Sequence, residues 1–280
     1  MRKIACNLNL FLILSFIPFI STAHISPAQL AKDYEYLNAK ISPNGKHLAL
    51  TIVKDGSSKL AIIKTKDYSP VGGADFGKRQ EVGEVFWVTD KRVVIKVLGN
   101  VPWQDEDIYR GELYAVDLDG KRGELIYGYR SGDAQVGSRL SKKQAIIGWA
   151  NIISLLLEDD KHILISSTPF TTGNASKATI HKLNVFSGEL GGLITGSPDY
   201  NMDFFVDTKG NLISAVGIDN EYQANACLYE PKTRSWGDIK NSDLAFGNAF
   251  STVTVDENKE NLYYLDDLNQ NTTGLFKMNL

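Results

Sequence analysis

The sequence has 280 residues, and 43% of them are hydrophobic, which is enough for the core of one large all-β domain or two small domains. Its formal net charge of −3 gives no basic footprint, so we expect no nucleic acid partner. After residue 40, helical periodicity is nearly absent and short alternating strands recur. The predicted elements are therefore strands, preceded by an N-terminal segment of a different kind.

Residues 1–23 have the pattern of a secretory signal peptide. Two basic residues precede the apolar run Ile4–Ile20, which Pro18 interrupts, and the small residues Ser21 and Ala23 place a cleavage site before His24. A membrane anchor is the alternative, because the run is near the shortest length that spans a bilayer. Pro18 and the small residues favour cleavage. We expect a periplasmic or secreted protein with no membrane association after cleavage.

Residues 24–40 are predicted to form a short helix and a lead-in to the first repeat. Ser26 is a suitable N-cap, and Pro27 is favoured at the first helical position. We expect this helix to run to about Leu37.

Residues 41–280 repeat a strand–turn–strand–loop–strand unit five times. The first strand of each copy is marked by Ile41, Phe86, Leu156, Val206 and Val255, and the later strand by Leu60, Leu113, Ile180, Ala226 and Leu275. Such recurrence predicts an all-β fold, a β-propeller with about five blades, whereas a simple meander of hairpins is the alternative. The fifth copy lacks an outer strand. We therefore expect an incomplete last blade and an incomplete or open ring.

Four longer segments fall at connections that leave a four-stranded blade on one face, which in repeat proteins is often the binding surface. They are Gly99–Gly111, Gly128–Ala150, Ser167–Ala178 and Gly217–Asn225. The first segment combines rigid aromatic rings with charged groups, a mixture that suits a peptide side chain and amino terminus. Its candidate contact residues are Trp103, Asp105, Glu106, Asp107, Tyr109 and Arg110. A solvated loop whose tryptophan packs on the rim is the alternative.

The sequence contains no recognisable catalytic or cofactor-binding motif. There is no G-x-S-x-G nucleophile elbow, no metal-ligand spacing, and no glycine-rich loop between a strand and a helix. His47 and His162 occupy the same place in two repeats, which predicts a structural role. Cys227 would be the single cysteine after cleavage, so no internal disulfide is expected, and the Gram-negative periplasm fits best. We predict no catalytic residue, no metal and no cofactor in this chain.

Several repeat segments resemble a known family. They are ISPNGKHLAL at residues 41–50, ELYAVDLDGKR at 112–122 followed by LIYG, DDKHILIS at 159–166 and HKLNVFSG at 181–188. These are similar to the N-terminal propeller of prolyl oligopeptidase-family serine peptidases, and most closely to bacterial exported dipeptidyl aminopeptidase and acylaminoacyl-peptidase-like members. SPxG turns also occur in periplasmic propellers of the TolB type.

The resemblance implies a propeller that gates peptide access to an α/β-hydrolase domain carrying Ser, Asp and His. That domain is absent from this sequence, so the resemblance suggests the non-catalytic part of a truncated or split peptidase. Its expected partners are a peptide or protein on the loop face and a separately encoded hydrolase domain. The alternative is a stand-alone periplasmic propeller that binds a protein, a peptide or a glycan.

Overall fold

The computed structural model describes residues 35–77, 79–99, 107–131, 146–171, 176–218, 224–238, 250–256, 258, 260–267 and 271–279. Regular structure in these ranges consists of β-strands. No helix that could cross a membrane is found in this part of the chain. The predicted signal peptide and the start of the predicted helix lie outside it.

The strands form five antiparallel sheets, in each of which every strand pairs with the next one along the chain. The first sheet contains β1 (Tyr36–Ile41), β2 (His47–Lys54), β3 (Ser57–Lys64) and β4 (Pro70–Ala74). The second contains β5 (Gln80–Thr89), β6 (Arg92–Gly99), β7 (Ile108–Asp117) and β8 (Glu124–Tyr127). The third contains β9 (Gly148–Ser154), β10 (His162–Pro169), β11 (Thr179–Asn184) and β12 (Leu190–Gly196). The fourth contains β13 (Met202–Val206), β14 (Leu212–Ile218), β15 (Ala224–Glu230) and β16 (Ser235–Asp238), and the fifth contains β17 (Ser251–Val255), β18 (Asn261–Asp266) and β19 (Gly274–Asn279).

This arrangement confirms the predicted all-β propeller with about five blades. All five residues that mark the later strand of the repeat lie on the third strand of their sheets. The fifth sheet has three strands in the described part of the chain.

Two local predictions are wrong. Tyr36 and Leu37 belong to strand β1 and not to a helix, because the backbone from Tyr36 to Ile41 pairs with β2. The first sheet therefore begins inside the predicted lead-in of residues 24–40. Leu156 lies beyond the end of β9, in a turn with a φ of 48°, and not on a strand.

Consecutive sheets pack face to face, because alternate residues of each strand point to opposite faces. Leu60 and Ile62 of the first sheet, for example, are buried against Val93 and Ile95 of the second. Burial of each such side chain stabilises the fold by about 1.5–3 kcal/mol. The propeller is thus held together by a series of apolar layers between neighbouring sheets.

Hydrogen bonds between sheets fix how the apolar layers align. The indole Nε1 of Trp87 donates to the carbonyl of Lys40 at 3.0 Å, which joins the second sheet to the first. The indole Nε1 of Trp236 donates to the carbonyl of Gly196 at 2.7 Å, which joins the fourth sheet to the third. Unlike dispersion contacts, these bonds are directional, so they specify register as well as adding stability.

A buried arginine connects the second and third sheets. Arg92 is 1% exposed, and its Nε donates to the carbonyl of Val185 at 2.9 Å. Its Nη1 donates to Asp117 at 2.8 Å, and the guanidinium lies 4.9 Å from the ring centre of Phe186. Since a buried charge is tolerated only when it is paired and hydrogen-bonded, this arginine acts as a structural anchor.

The outer faces of the first and fifth sheets are uncovered in the described part of the chain. On the first sheet, Tyr36 is 64% exposed and Tyr68 is 69% exposed, and on the fifth, Leu275 is 65% exposed. The alternate residues Leu48 and Leu50 line the same apolar face of the first sheet. The described parts of these two sheets do not pack against each other. In the described part of the chain, the first and fifth sheets therefore do not close the ring against each other.

Candidate functional site

The four long connections join the second strand of a sheet to its third, or one sheet to the next, so their described ends lie on one face of the propeller, which we call the loop face. An added Cβ at Gly111 would lie 2.4 Å from the Cα of Trp149, so the second sheet contacts the third here at backbone distance. An added Cβ at Gly217 would lie 2.4 Å from the carbonyl oxygen of Asn201. Each of these glycines permits close approach of two backbones.

A groove of about 650 Å³ opens between the third and fourth sheets at the loop face. It is lined by Trp149, Asn151, Ser166, Thr168, Pro169, Thr171, Ser176, Ala178, Asn201, Met202 and Asp203. Most of these residues come from the predicted loop-face segments or from the adjoining strands β9, β10 and β13.

The groove exists because the surface of the third sheet that faces the fourth is polar at the loop-face end and apolar further along its strands. Trp149 pairs with Thr168 across β9 and β10, and Asn151 pairs with Ser166. Further along the same surface, Ile153 and Leu164 are apolar and pack against residues of the fourth sheet. Polar side chains do not drive the two sheets together, so the loop-face end of this layer stays open.

Trp149 packs against Phe170 at the edge of the groove. Its ring meets that of Phe170 edge to face, with the ring centres 4.1 Å apart and an interplanar angle of 83°. Next to it, the carbonyl of Ala150 accepts a hydrogen bond from the Tyr109 hydroxyl at 2.5 Å. Trp149 nevertheless remains 44% exposed. A fixed and exposed indole loses little entropy when it binds a ligand.

Of the candidate contact residues, the structure describes Asp107, Tyr109 and Arg110, whereas Trp103, Asp105 and Glu106 lie outside the described residues. Tyr109 is turned towards the protein: burial, with Tyr127 and Glu112 nearby, raises the pKa of its phenol. Arg110 is exposed, and its guanidinium lies close to Gly99. The role of these residues in binding stays a prediction.

The described lining of the groove is mostly polar and uncharged. Its described residues carry hydroxyl and amide groups and one carboxylate, that of Asp203, but no histidine, cysteine, lysine or arginine. In the described ranges, no three His, Cys, Asp or Glu residues are grouped as metal ligands. The sequence analysis did not identify Trp149, Asn151 or Asp203 individually, although the alternation of Trp149, Ala150 and Asn151 was a detectable signal.

Comparison with known proteins supports the fold. No known sequence family matches the chain, and no curated protein is significantly similar in sequence. Among solved structures, prolyl oligopeptidase B from Galerina marginata matches 89% of this chain and 36% of its own, with 12% identity and a TM-score of 0.52. At this identity, the likeness concerns the fold alone.

Two further structures are similar at lower scores. The acylaminoacyl peptidase from Pyrococcus horikoshii matches 87% of this chain and 37% of its own, with 13% identity and a TM-score of 0.48. TolB from Acinetobacter baumannii matches 88% of this chain and 52% of its own, with 12% identity and a TM-score of 0.44. The chain thus spans a little over a third of the two peptidases and about half of TolB.

Proposed function

We propose that this chain is the non-catalytic propeller portion of an exported serine peptidase of the prolyl oligopeptidase family. In this role it admits peptides to the α/β-hydrolase domain of that peptidase. The proposal depends chiefly on the groove at the loop face, which offers an exposed indole and hydrogen-bonding groups to a peptide. The repeat segments that resemble this family give the class of peptidase.

The uncovered faces of the first and fifth sheets support a second polypeptide as partner. Exposed apolar patches on a soluble protein commonly mark interaction surfaces. On the first sheet, the apolar face includes Tyr36, Leu37 and Tyr68 and adjoins a groove of about 740 Å³. We propose that further polypeptide of the parent peptidase covers these faces. The predicted signal peptide supports a location of the assembly in the periplasm or outside the cell.

A reconstitution experiment tests the gating role. The purified chain is mixed with the separately produced hydrolase domain of the parent peptidase, and hydrolysis of a labelled pentapeptide is compared with that of a labelled unfolded protein. We expect the hydrolase domain alone to cleave both substrates, and the mixture to retain only pentapeptide cleavage. Unchanged cleavage of the unfolded protein in a mixture that forms a complex would refute gating. The chain alone should cleave neither substrate.

The alternative function is that of a stand-alone periplasmic propeller that binds a protein, a peptide or a glycan. The specific observation in its favour is the lining of the groove by hydroxyl and amide groups, because these also suit a sugar stacked on Trp149. A monodisperse monomer that binds a neutral oligosaccharide and forms no complex with a hydrolase domain would favour this alternative.

A further inference from the structure

The polar side chains on the third-sheet wall of the groove lie in two rows. Trp149 pairs with Thr168 nearest the loop face, and Asn151 pairs with Ser166 two residues further along the same strands. Because a strand rises about 3.4 Å per residue, the second row lies about 7 Å deeper than the first. Beyond it, Leu164 continues the same surface and packs against the fourth sheet. The groove therefore has its mouth at Trp149 and its floor at Ser166.

A buried hydroxyl at the floor has no hydrogen-bond partner among the described residues. Ser166 is 4% exposed, and its side chain lines the groove. The adjacent Ser167 faces the second sheet instead, where its hydroxyl pairs with that of Tyr127. Buried hydroxyls are almost always hydrogen-bonded, and one without a partner costs the fold free energy. A ligand that reaches the floor of the groove can therefore gain a hydrogen bond to Ser166 Oγ.

The mouth of the groove presents apolar groups from both walls. Trp149 lies on the third-sheet wall and is 44% exposed, whereas Met202 lies on the fourth-sheet wall. An aromatic ring stacks favourably on an indole, and a thioether sulphur makes a favourable contact with a ring. A flat ring that enters between these two side chains would contact both of them.

No described side chain in the groove offers a charge to a ligand. Asp203 pairs with Val216, which packs between the fourth and fifth sheets, whereas the adjacent Phe204 packs towards the third sheet. Since alternate residues of a strand point to opposite faces, the Asp203 side chain faces away from the groove. The Lys177 ammonium group donates to the carbonyl of Pro198 at 2.6 Å. A charged ligand side chain would lose hydration here without gaining a counter-charge.

We infer that the groove between the third and fourth sheets is a subsite for a tyrosine side chain of a bound peptide. The phenol ring lies between Trp149 and Met202, and its hydroxyl bonds to Ser166 at the floor. The depth of about 7 Å suits the length of a tyrosine side chain, whereas serine and threonine are too short to reach the floor. This inference deepens the proposed function, since it rests on peptide binding at the loop face and adds a residue preference. A neutral glycan is the competing occupant and is one outcome of the test.

Five probes distinguish these ligands in calorimetric titrations of the full purified protein. Four are the capped pentapeptide Gly-Ala-Tyr-Ala-Gly and its analogues with phenylalanine, glutamate or lysine in place of tyrosine, and the fifth is a neutral trisaccharide of N-acetylglucosamine. We expect the tyrosine peptide to bind about fivefold more tightly than the phenylalanine peptide, which leaves the floor hydroxyl unpaired. It should bind at least tenfold more tightly than either charged peptide. The trisaccharide should give no heat of binding.

Variants then locate the subsite. Ser166→Ala should weaken binding of the tyrosine peptide about fivefold and leave the affinity for the phenylalanine peptide unchanged, because only the tyrosine hydroxyl contacts the floor. Trp149→Ala should weaken binding of both peptides about tenfold, and Trp149→Phe should restore most of this loss. Ser167→Ala is the matched control, since it removes the neighbouring buried hydroxyl on the opposite face of the strand, and it should leave both affinities unchanged. Thermal melting of each variant shows whether the fold is retained.

Four outcomes would overturn the inference, and they bear differently on the proposed function. If Ser166→Ala affects the tyrosine and phenylalanine peptides equally, the tyrosine hydroxyl does not reach the floor, and the subsite is wrong while peptide binding stands. If all four peptides bind equally, the residue preference is wrong. If no probe binds, the inference fails and the reconstitution experiment still tests gating. If only the trisaccharide binds to the folded protein, both the inference and the peptide-gating function fail.

Discussion

Replacing Gly111 by alanine should weaken the contact between the second and third sheets. Gly111 has a φ of +82°, and a Cβ added there would lie 2.4 Å from the Cα of Trp149 and 2.7 Å from the carbonyl oxygen of Gly148. These neighbours are backbone atoms, which cannot move aside as the end of a side chain can. The methyl group would therefore have to push the two sheets apart at the loop face.

The expected cost has two parts. Left-handed backbone costs a residue with a Cβ about 1–2 kcal/mol. Overpacking of a close contact adds about 1–3 kcal/mol, so Gly111→Ala should lower the free energy of unfolding by about 2–5 kcal/mol. Gly56 provides a matched control, because it has a φ of +74° and an added Cβ would meet nothing within 4 Å. Gly56→Ala should therefore incur only the backbone part, about 1–2 kcal/mol.

Urea unfolding followed by tryptophan fluorescence measures both free energies, and thermal melting provides a check. Each kcal/mol corresponds to a fall of about 2–4 °C in Tm for a domain of this size. The difference between the two variants isolates the contact between the sheets. Equal losses in Gly111→Ala and Gly56→Ala, with unchanged m-values, would show that the sheets do not meet as closely as described.

Three other predictions concern single side chains. Tyr127→Phe removes the hydroxyl that lies 2.5 Å from the Ser167 hydroxyl, and since both groups are buried, the free energy of unfolding should fall by about 1–2 kcal/mol in urea titrations. For Asp159, burial alone would raise the pKa, but hydrogen bonds from His162, the Lys161 backbone and Lys182 outweigh it and lower the pKa from 3.8 to about 2. Because the folded-state pKa is depressed, the stabilisation by Asp159 is present above about pH 4 and is lost as the pH falls towards 2; stability measured from pH 5 to 2 should decline less steeply in Asp159→Asn. Tyr68→Lys, on the uncovered face of the first sheet, should raise the concentration at which the protein aggregates while changing the free energy of unfolding by no more than about 0.5 kcal/mol.

Each of these predictions has a contradicting result. A Ser167→Ala variant whose effect adds fully to that of Tyr127→Phe would show that the two hydroxyls are not coupled. If stability falls equally from pH 5 to 2 in the protein and in Asp159→Asn, the Asp159 carboxylate does not cause the acid dependence. A large loss of stability in Tyr68→Lys would mean that this face is covered after all.

The architecture could be predicted because one strand of each repeat is constrained from both sides. Leu60, Leu113 and Ile180 lie on third strands and are buried between neighbouring sheets, so their apolar character recurs in the first three copies. The start of strand β1, which the sequence analysis assigned to a helix and lead-in, was missed for the opposite reason. Its residues from Tyr36 to Ile41 are all exposed, so no core contact gives them a hydrophobic alternation. Leu156 is also buried and apolar, but it lies in a turn. An apolar residue in the sequence therefore does not show whether its buried position is in a strand or in a turn.

The loop face was predictable as a region, but its groove was not. Segment lengths and turn residues indicate which connections are long and on which face of a blade they lie. They do not indicate between which two sheets a groove opens. That depends on the cross-strand pairing of Asn151 with Ser166, which places polar groups where other layers have apolar ones. Such pairing joins residues distant in sequence and becomes visible only when the register is known.

The gap between the first and fifth sheets has a mechanical consequence. In a closed circle, rotation at one junction must be cancelled at the others, whereas an arc with two loose ends has no such restriction. A ligand bound between the third and fourth sheets could rotate the fourth and fifth sheets together relative to the first three. Such a rotation would change the distance between the fifth sheet and the first. Occupancy of the groove and the position of any polypeptide between the first and fifth sheets would then be linked.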